Sequence, residues 1–209
     1  MTDPSLEALS RLRSGASFDW SLLTAVAVVL YVYSSLVRQR RLGDAALGIA
    51  FWGVELLWEM FNGLILHFSE YSALWTVAGR SSFILYVGLN IEISLLFLVA
   101  PIIVLNCLPE LPHSRIAGVP SRLLISTLLG LLCVAVECVL NHWGVLLWAW
   151  RFWGWPHIWS IACVYIGSFW ALCWCHDNLP ERSKIGLCAV FGLLALVAHL
   201  VFACMLSWI

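Results

Sequence analysis

Two glutamates and an asparagine lie on one face of a strongly apolar segment, at a spacing suited to acid–base chemistry. Glu55, Glu59 and Asn62 stand at i, i+4 and i+7 within residues 45–66, so a helix would stack them on one side. A carboxyl group inside a membrane is costly and indicates a functional site unless a partner is evident. This run contains no Lys or Arg. We expect at least one carboxyl to carry a proton, because burial and a like-charged neighbour both disfavour the ionised form.

Two later apolar runs contribute acids at a similar depth. Glu59 lies past the middle of its run, and Glu92 lies before the middle of the next one, which would cross in the opposite direction. Glu137 lies late in the run after that. All three therefore fall in the same half of a bilayer, with Glu55 nearest the midplane. We predict one buried acidic site whose catalytic candidates are Glu55, Glu59, Glu92 and Glu137.

The elements that must position these acids are membrane-spanning helices. The 209 residues are 62% apolar and only 11% charged, which is typical of an integral membrane protein. Six apolar runs approach the roughly 20 residues that a crossing needs: 20–37, 45–66, 82–106, 123–140, 158–175 and 185–208. Lipid forces each run to satisfy its own backbone groups, so each should be a helix. The predicted fold is an all-α, polytopic transmembrane bundle of six helices. In the alternative, residues 141–156 form a seventh segment, which is either interfacial or re-entrant.

Composition also sets expectations for organisation and partners. Residues 1–18 read as a polar N-terminal segment and residues 19–209 as a single transmembrane domain. The formal net charge of −1 gives no indication of a nucleic-acid partner. The expected partners are the lipid bilayer and a lipophilic substrate, and the oligomeric state stays open. We expect a multi-pass protein of the cytoplasmic membrane in a bacterium or of the endoplasmic reticulum in a eukaryote.

A dense aromatic run follows Glu137, on the side of the membrane where the acids gather. Tryptophan favours membrane interfaces, which explains part of this run, but the concentration in one connection also suggests a wall of π faces that could stabilise a carbocation. Asparagines on the same side could orient the carboxyls. The predicted substrate-binding residues are Trp58, Asn62, Asn90, Asn141, Trp143, Trp148, Trp155, Trp159 and Tyr165.

Several chemistries lack their motifs. The chain contains no GxxxxGK[ST], HExxH or GxSxG pattern and no Asp-rich diphosphate-binding cluster, so phosphate-loop, zinc-protease, serine-hydrolase and prenyl-diphosphate-ionising mechanisms have no support. We expect neither a metal nor a cofactor. The remaining chemistry is proton transfer from a buried carboxyl to an alkene or epoxide.

Short motifs carry resemblances to membrane enzymes of that kind. The segment Glu55-Leu-Leu-Trp-Glu59 resembles the Asn/Glu-x-x-Trp-Glu segment of small integral-membrane terpene cyclases of meroterpenoid and indole-terpene pathways, which implies Glu59 as the proton donor. Those cyclases carry an acid near the last helix, whereas residues 185–208 contain none. The second acidic role would therefore fall to Glu92 or Glu137.

Two weaker likenesses imply related reactions. Glu137, Asn141 and the tryptophans that follow are similar to a pattern of membrane carotenoid hydratases and lycopene cyclases. Asn90 and Glu92 are similar to a segment of the emopamil-binding sterol isomerase fold. In both families an acid protonates a double bond.

The predicted function is a membrane-embedded terpene cyclase, a lyase or isomerase of isoprenoid biosynthesis. Glu59 would be the general acid, Glu55 would adjust its acidity, and Glu92 or Glu137 would act as terminating base. The alternatives are a double-bond isomerase or hydratase of the same chemistry, a proton-coupled carrier that uses the buried acids, and a scaffold subunit. A haem or quinone protein using His142, His157 and His199 ranks last.

Overall fold

The computed structural model describes residues 1–14, 20–79 and 81–209. Helices dominate it, with three short two-stranded ladders in the connections. The helices are α1 (Asp3–Ser10), α2 (Ser21–Arg38), α3 (Leu42–Ser69), α4 (Ile91–Asn106), α5 (Ser121–His142), α6 (Trp159–Asn178) and α7 (Glu181–Ala198), which continues into a π-helical segment (His199–Met205). The strands are β1 (Trp75–Val77), β2 (Ile84–Tyr86), β3 (Leu89–Asn90), β4 (Arg115–Ile116), β5 (Val119–Pro120) and β6 (Leu146–Trp148).

Five helices of the described residues are long and apolar enough to cross a membrane: α2, α3, α5, α6 and α7 with its π-helical continuation. The shorter α4, of 16 residues, is also apolar. These lengths and compositions confirm the predicted all-α, polytopic membrane bundle. The predicted boundary between residues 18 and 19 lies outside the described residues.

The predicted helix over 82–106 is wrong at its start. Its first residues form the β2–β3 hairpin, and the helix begins only at Ile91. Asn90 ends the hairpin and caps the helix, because its side-chain oxygen accepts a 2.8 Å hydrogen bond from the backbone N–H of Ile93. An N-cap asparagine satisfies a donor that the first helical turn would otherwise leave unpaired.

Residues 141–156, the alternative seventh segment, contain no helix beyond His142. The chain turns after α5, and β6 pairs antiparallel with β1, placing Trp148 opposite Trp75 and Leu146 opposite Val77. The aromatic run is therefore folded back against the α3–α4 connection. Helical periodicity could not reveal this pairing, since its partner strand lies about seventy residues earlier in the sequence.

Helix α3 lies at the centre of the bundle and packs against α2, α4, α6 and α7. The helices approach closely where glycine removes a side chain. A Cβ added to Gly53 would lie 3.2 Å from the backbone carbon of Phe191 in α7, and one added to Gly130 in α5 would lie 3.1 Å from the backbone of Ile166 in α6. Small residues allow such approaches in membranes, where packing replaces the hydrophobic effect between helices.

An ion-pair network ties the helix ends together on one side of the bundle. Arg122, at the start of α5, holds the carboxylate of Asp177, near the end of α6, with bonds of 2.8 and 3.1 Å. Its guanidinium also donates 2.7 Å to the carbonyl of Pro109. His176 lies between Asp177 and Asp44 at 3.0 and 3.3 Å, which extends the network to α3.

We expect Gly130→Val to lower the thermal stability of the protein in detergent, because the backbone of Ile166 cannot yield as a flexible side chain could. Overpacking of this kind costs about 1–3 kcal/mol, which corresponds to roughly 2–10 °C in Tm. Gly167→Val is the matched control, because a Cβ at Gly167 meets nothing within 4 Å. Equal Tm values for the two variants would contradict the proposed close approach of α5 and α6.

We expect Arg122→Met to destabilise the protein more than Arg115→Met does. Removal of one partner of a largely buried pair leaves the other charge uncompensated and costs about 3 kcal/mol, whereas Arg115 is exposed and bonds only within its own turn. Chemical unfolding in detergent measures the difference. An Arg122 variant as stable as the Arg115 variant would show that the network contributes nothing.

Candidate buried carboxyl site

Glu59 is the most deeply buried acid of the predicted set. It lies on α3 with 2% of its surface exposed, and its Oε1 accepts a 2.8 Å hydrogen bond from the indole N–H of Trp75. Its other oxygen, Oε2, has no hydrogen-bond partner among the described residues. An apolar environment penalises an unpaired polar atom, so a hydrogen-bond partner supplied by a ligand would lower the cost of burying this oxygen.

The position of Trp75 depends on Asn62, almost one helical turn beyond Glu59. The fully buried Asn62 amide accepts 2.7 Å from the backbone N–H of Leu74 and donates 2.8 Å to the carbonyl of Trp75. Gly88 closes the other side, where any Cβ would collide with the Trp75 indole nitrogen and the Asn62 amide. The asparagine therefore fixes the strand that presents the indole to Glu59.

Two further carboxyls lie next to Glu59. Glu55 precedes it by one turn of α3, and Glu137 reaches the same region from α5. The three carboxyls are close enough to interact electrostatically with one another. Tyr165 of α6 donates a 2.5 Å hydrogen bond to Oε1 of Glu137. The structure thus brings together Glu55, Glu59, Glu137 and Tyr165 from three different helices.

No Lys, Arg or His of the described chain forms an ion pair with Glu55, Glu59 or Glu137. Such a group of carboxyls cannot all ionise together at acceptable cost, because each charge would be buried beside another of the same sign. The arrangement is suited to holding and moving protons. It differs in this respect from the Arg122–Asp177 network, in which each acid has a basic partner.

Aromatic rings pack on Trp75 and Tyr165, the two aromatic residues that bond to the carboxyls. Trp75 stacks on Trp153 with ring centroids 5.2 Å apart and an interplanar angle of 28°. Phe97 lies parallel to Tyr165 at 6.5 Å and 6°. Trp148 is the cross-strand neighbour of Trp75. Trp75 and Tyr165 meet the carboxyls through their N–H and O–H groups, and Trp153 and Phe97 stack on these two rings.

Two of these tryptophans have unpaired donors. The Nε1 atoms of Trp148 and Trp153 are buried and form no hydrogen bond with any described residue. The Trp148 nitrogen lies near Glu137 without reaching hydrogen-bond geometry. Together with Oε2 of Glu59, they are the buried side-chain N and O atoms without a partner in the described part of the chain. All three belong to residues that contact Trp75: Glu59 bonds to it, Trp148 is its cross-strand neighbour, and Trp153 stacks on it.

The other predicted polar side chains form hydrogen bonds in the connections between helices. Glu92 accepts 2.6 Å from the hydroxyl of Ser81 and 2.9 Å from the backbone N–H of Ser82, so it fastens the loop before α4. Asn141 donates 2.9 Å to the carbonyl of Leu146, which supports the turn before β6. The prediction that Asn90 and Asn141 orient carboxyls is wrong, because their amides bond to backbone groups at the ends of helices.

Four predicted aromatic residues lie on the outside of the bundle. The exposed fractions are 38% for Trp58, 70% for Trp143, 65% for Trp155 and 63% for Trp159. The structure does not bring them together with Glu59. Trp58 adjoins Glu59 in sequence, but consecutive helical positions point in different directions. Surface positions agree with the preference of indoles for membrane interfaces.

The sequence reading missed Trp75, Trp153 and the buried Tyr86. Trp75 lies in a connection between apolar runs, where no periodicity relates it to Glu59. Tyr86 shares a 2.8 Å hydrogen bond with Nδ1 of His199, and burial raises the pKa of the Tyr86 phenol to about 12. His199 begins the π-helical segment, a local irregularity that often accompanies functional sites. No signal in a single sequence predicts that irregularity.

Within the residues that the structure describes, no three His, Cys, Asp or Glu side chains converge as ligands for a metal ion. The expectation that neither a metal nor a cofactor takes part stays a prediction.

The helices and the buried acids define a multi-pass integral membrane protein with a polar site inside its bundle. The chain belongs to an uncharacterized membrane protein family, which matches residues 2–204. A protein of Archaeoglobus fulgidus, described as an uncharacterized protein, is 34% identical over 214 residues, which cover 100% of this chain and 99% of the relative. No solved structure matches the chain. The family and the five candidate membrane-spanning helices of the described residues confirm the multi-pass membrane localisation.

We expect Asn62→Ala to destabilise the protein and to release Trp75. The substitution leaves the buried N–H of Leu74 and carbonyl of Trp75 unpaired, at a cost of about 2 kcal/mol or more. Asn178→Ala is the matched control, because that exposed amide bonds only to the carbonyl of Trp174 in its own helix. Thermal unfolding in detergent measures the difference. If Asn62→Ala is no less stable than Asn178→Ala, the amide does not hold the strand.

Proposed function

We propose that this protein is a membrane-embedded terpene cyclase that protonates a lipophilic isoprenoid. The observation that carries the proposal is the buried carboxyl of Glu59, which has one oxygen held by Trp75 and the other without a partner in the described part of the chain. A neutral carboxyl group in an apolar site is a strong acid relative to its surroundings, because no water competes for its proton.

In the proposed reaction Glu59 transfers its proton to a substrate alkene carbon or epoxide oxygen. Protonation of an alkene uses its π electrons to form the new C–H bond and leaves a cation on the adjacent carbon. Protonation of an epoxide breaks a C–O bond, whose electron pair stays on oxygen as a hydroxyl. The next double bond of the chain then attacks the cation and closes a ring.

Glu137 ends the reaction by removing a proton from a carbon next to the final cation, and the C–H electron pair becomes a new double bond. The Tyr165 hydroxyl holds Glu137 in place for this step. After one turnover Glu59 has lost a proton and Glu137 has gained one. A proton must therefore return from Glu137 to Glu59 before the next cycle. Glu55 interacts with both groups and is the proposed carrier of that proton.

The aromatic contacts support a cationic intermediate. Trp75 bonds to Glu59, Trp153 stacks on Trp75, and Phe97 stacks on Tyr165, which bonds to Glu137. Electron-rich ring faces attract cations by about 2 kcal/mol or more when water is absent. Exclusion of water also prevents premature capture of the cation. The product therefore keeps the mass of the substrate.

The same arrangement supports close alternatives. A double-bond isomerase would use the Glu59 and Glu137 steps without ring closure, and a hydratase would add water to the cation. The electrostatic contact among Glu55, Glu59 and Glu137 also favours a proton-coupled carrier as a second candidate, since intramembrane acids form proton relays.

We expect Glu59→Gln to lower turnover by about a hundredfold or more, because glutamine fills the site without supplying a proton. The protein in lipid nanodiscs is incubated with linear isoprenoids, epoxidised and not, and the products are analysed by mass spectrometry. A product of unchanged mass indicates a cyclase or isomerase, and a product heavier by one water indicates a hydratase.

Glu110→Gln is the control for this experiment, because Glu110 is exposed in the connection after α4. It should retain full turnover. Full activity of a folded Glu59→Gln variant would remove Glu59 from the mechanism. Absence of any product from wild-type protein, together with pH-dependent flux in liposomes, would replace the enzyme with the carrier.

A further inference from the structure

We infer that His176 carries a proton on both ring nitrogens at neutral pH and acts as a pH-sensitive link between α3 and α6. The inference goes beyond the proposed reaction and does not depend on it. It starts from the position of this imidazole at the ends of two helices, between the carboxylates of Asp44 in the first turn of α3 and Asp177 in the last turn of α6.

Both ring nitrogens of His176 face a carboxylate. Nδ1 lies 3.0 Å from Oδ1 of Asp177, and Nε2 lies 3.3 Å from Oδ1 of Asp44. A neutral imidazole has one N–H and one nitrogen lone pair, whereas an ionised carboxylate can only accept. In either neutral tautomer one ring nitrogen would therefore turn its lone pair toward a carboxylate oxygen, which is a repulsive contact. The imidazolium form removes this repulsion, because both of its nitrogens donate.

The two acids do not hold the proton of the bridge themselves. Oδ2 of Asp44 accepts 2.8 Å from the guanidinium of Arg41, and the two oxygens of Asp177 accept 2.8 and 3.1 Å from Arg122. An arginine stays charged in proteins and favours the ionised form of a carboxyl beside it. The proton therefore resides on the imidazole.

The charged groups around the ring come from four elements and one connection. They are Asp44 of α3, Asp177 of α6 itself, Arg122 of α5, Lys184 of α7 and Arg41 just before α3. Lys184 donates 2.7 Å to the backbone carbonyl of His176, and its charge opposes a second proton on the ring. The two carboxylates favour that proton and contact the ring nitrogens directly. Helix α4 adds no charge here, because its one charged residue, Glu92, lies in its first turn, whereas its other end bonds to Arg41.

The number of bound protons sets the sign of the pH dependence. An imidazole in water, as in an unfolded chain, loses its second proton near pH 6.5, so above about pH 6.5 the folded protein holds a proton that the unfolded chain has released. Stability then falls as the pH rises, until the folded ring also loses its proton. With 27% of its side chain exposed, the ring can exchange this proton with water.

The helices that this link joins are those of the carboxyl site. Helix α3 carries Glu59, and α6 carries Tyr165, which bonds to Glu137. Loss of the proton on His176 would loosen α3 from α6 at one end, so pH acts on the packing of the two helices without acting on the buried carboxyls.

Nitrogen NMR of the imidazoles tests the protonation state directly. Full-length protein with isotope-labelled histidine is measured in lipid nanodiscs at about pH 8, where an imidazole in water is almost wholly neutral. We expect an imidazolium signal that disappears in His176→Gln and stays in His142→Gln, a control at the exposed end of α5. A wild-type spectrum without an imidazolium signal, or one whose imidazolium signals all remain in His176→Gln, would overturn the inference.

Thermal unfolding of the same proteins tests the link. We expect wild-type protein to exceed His176→Gln in Tm by about 4 °C near pH 6, the effect of about one hydrogen bond to a charged group, and by about 1 °C or less near pH 9. Groups that both proteins share cancel in this difference. A difference of equal size at both pH values would show that His176 only fills space, and would overturn the pH-sensitive link.

A second variant keeps the test decisive if His176→Gln does not fold. Asp44→Asn replaces one carboxylate by an amide, whose NH2 group can donate to an unprotonated Nε2. We therefore expect the imidazolium signal to be lost near pH 8 in this variant. An unchanged imidazolium signal in folded Asp44→Asn would contradict a ring held between two acids.

Discussion

The structure depends on how a carboxyl group is accommodated in an apolar bundle without a cation. No described residue forms an ion pair with Glu59, so its position requires a neutral donor, and the Trp75 indole supplies one. That indole must itself be held. Asn62 bonds to the Trp75 strand, Gly88 makes room for both side chains, and β6 pairs with the strand from the other side. A site that needs a protonated acid benefits from this arrangement, because a neutral donor stabilises the carboxylate less than a cation would.

The two polar regions of the bundle treat buried acids in opposite ways. At the helix ends, Asp177 and Asp44 are each bonded to an arginine, and His176 connects them. Those acids connect helices, and their carboxylates are bonded to basic partners. Near Glu59, the acids have neighbours of the same sign and neutral donors only. The first region is a structural link between helices, and the second has capacity for proton exchange. Because of this contrast, Glu59 is the functional candidate.

The sequence was sufficient for the parts of the fold that follow from local composition. Apolar run length predicted the helices, and the i, i+4 spacing placed Glu55 and Glu59 on one face, as it should in any helix. Depth along the runs placed Glu137 beside them, whereas Glu92 bonds to Ser81 and Ser82, next to the hairpin into which the first part of its run folds. Depth was a poor guide wherever a run was not helical throughout.

The exposed tryptophans show a related limit, since composition alone does not tell a membrane-interface residue from one that lines a site. Trp75 and Trp153 reach Glu59 only through long-range strand pairing and stacking, for which one sequence carries no signal.

The protonation state of Glu59 in a bilayer decides whether this carboxyl can serve as the general acid. Infrared difference spectroscopy of wild-type protein against Glu59→Gln, in lipid at neutral pH, detects the C=O stretch of a neutral carboxyl. The account predicts a protonated-carboxyl band that is absent from the variant and that shifts slowly in heavy water, because the group is buried beneath Trp75. A wild-type spectrum without such a band, or a band that Glu59→Gln leaves unchanged, would show that Glu59 does not hold the proton and would contradict the account.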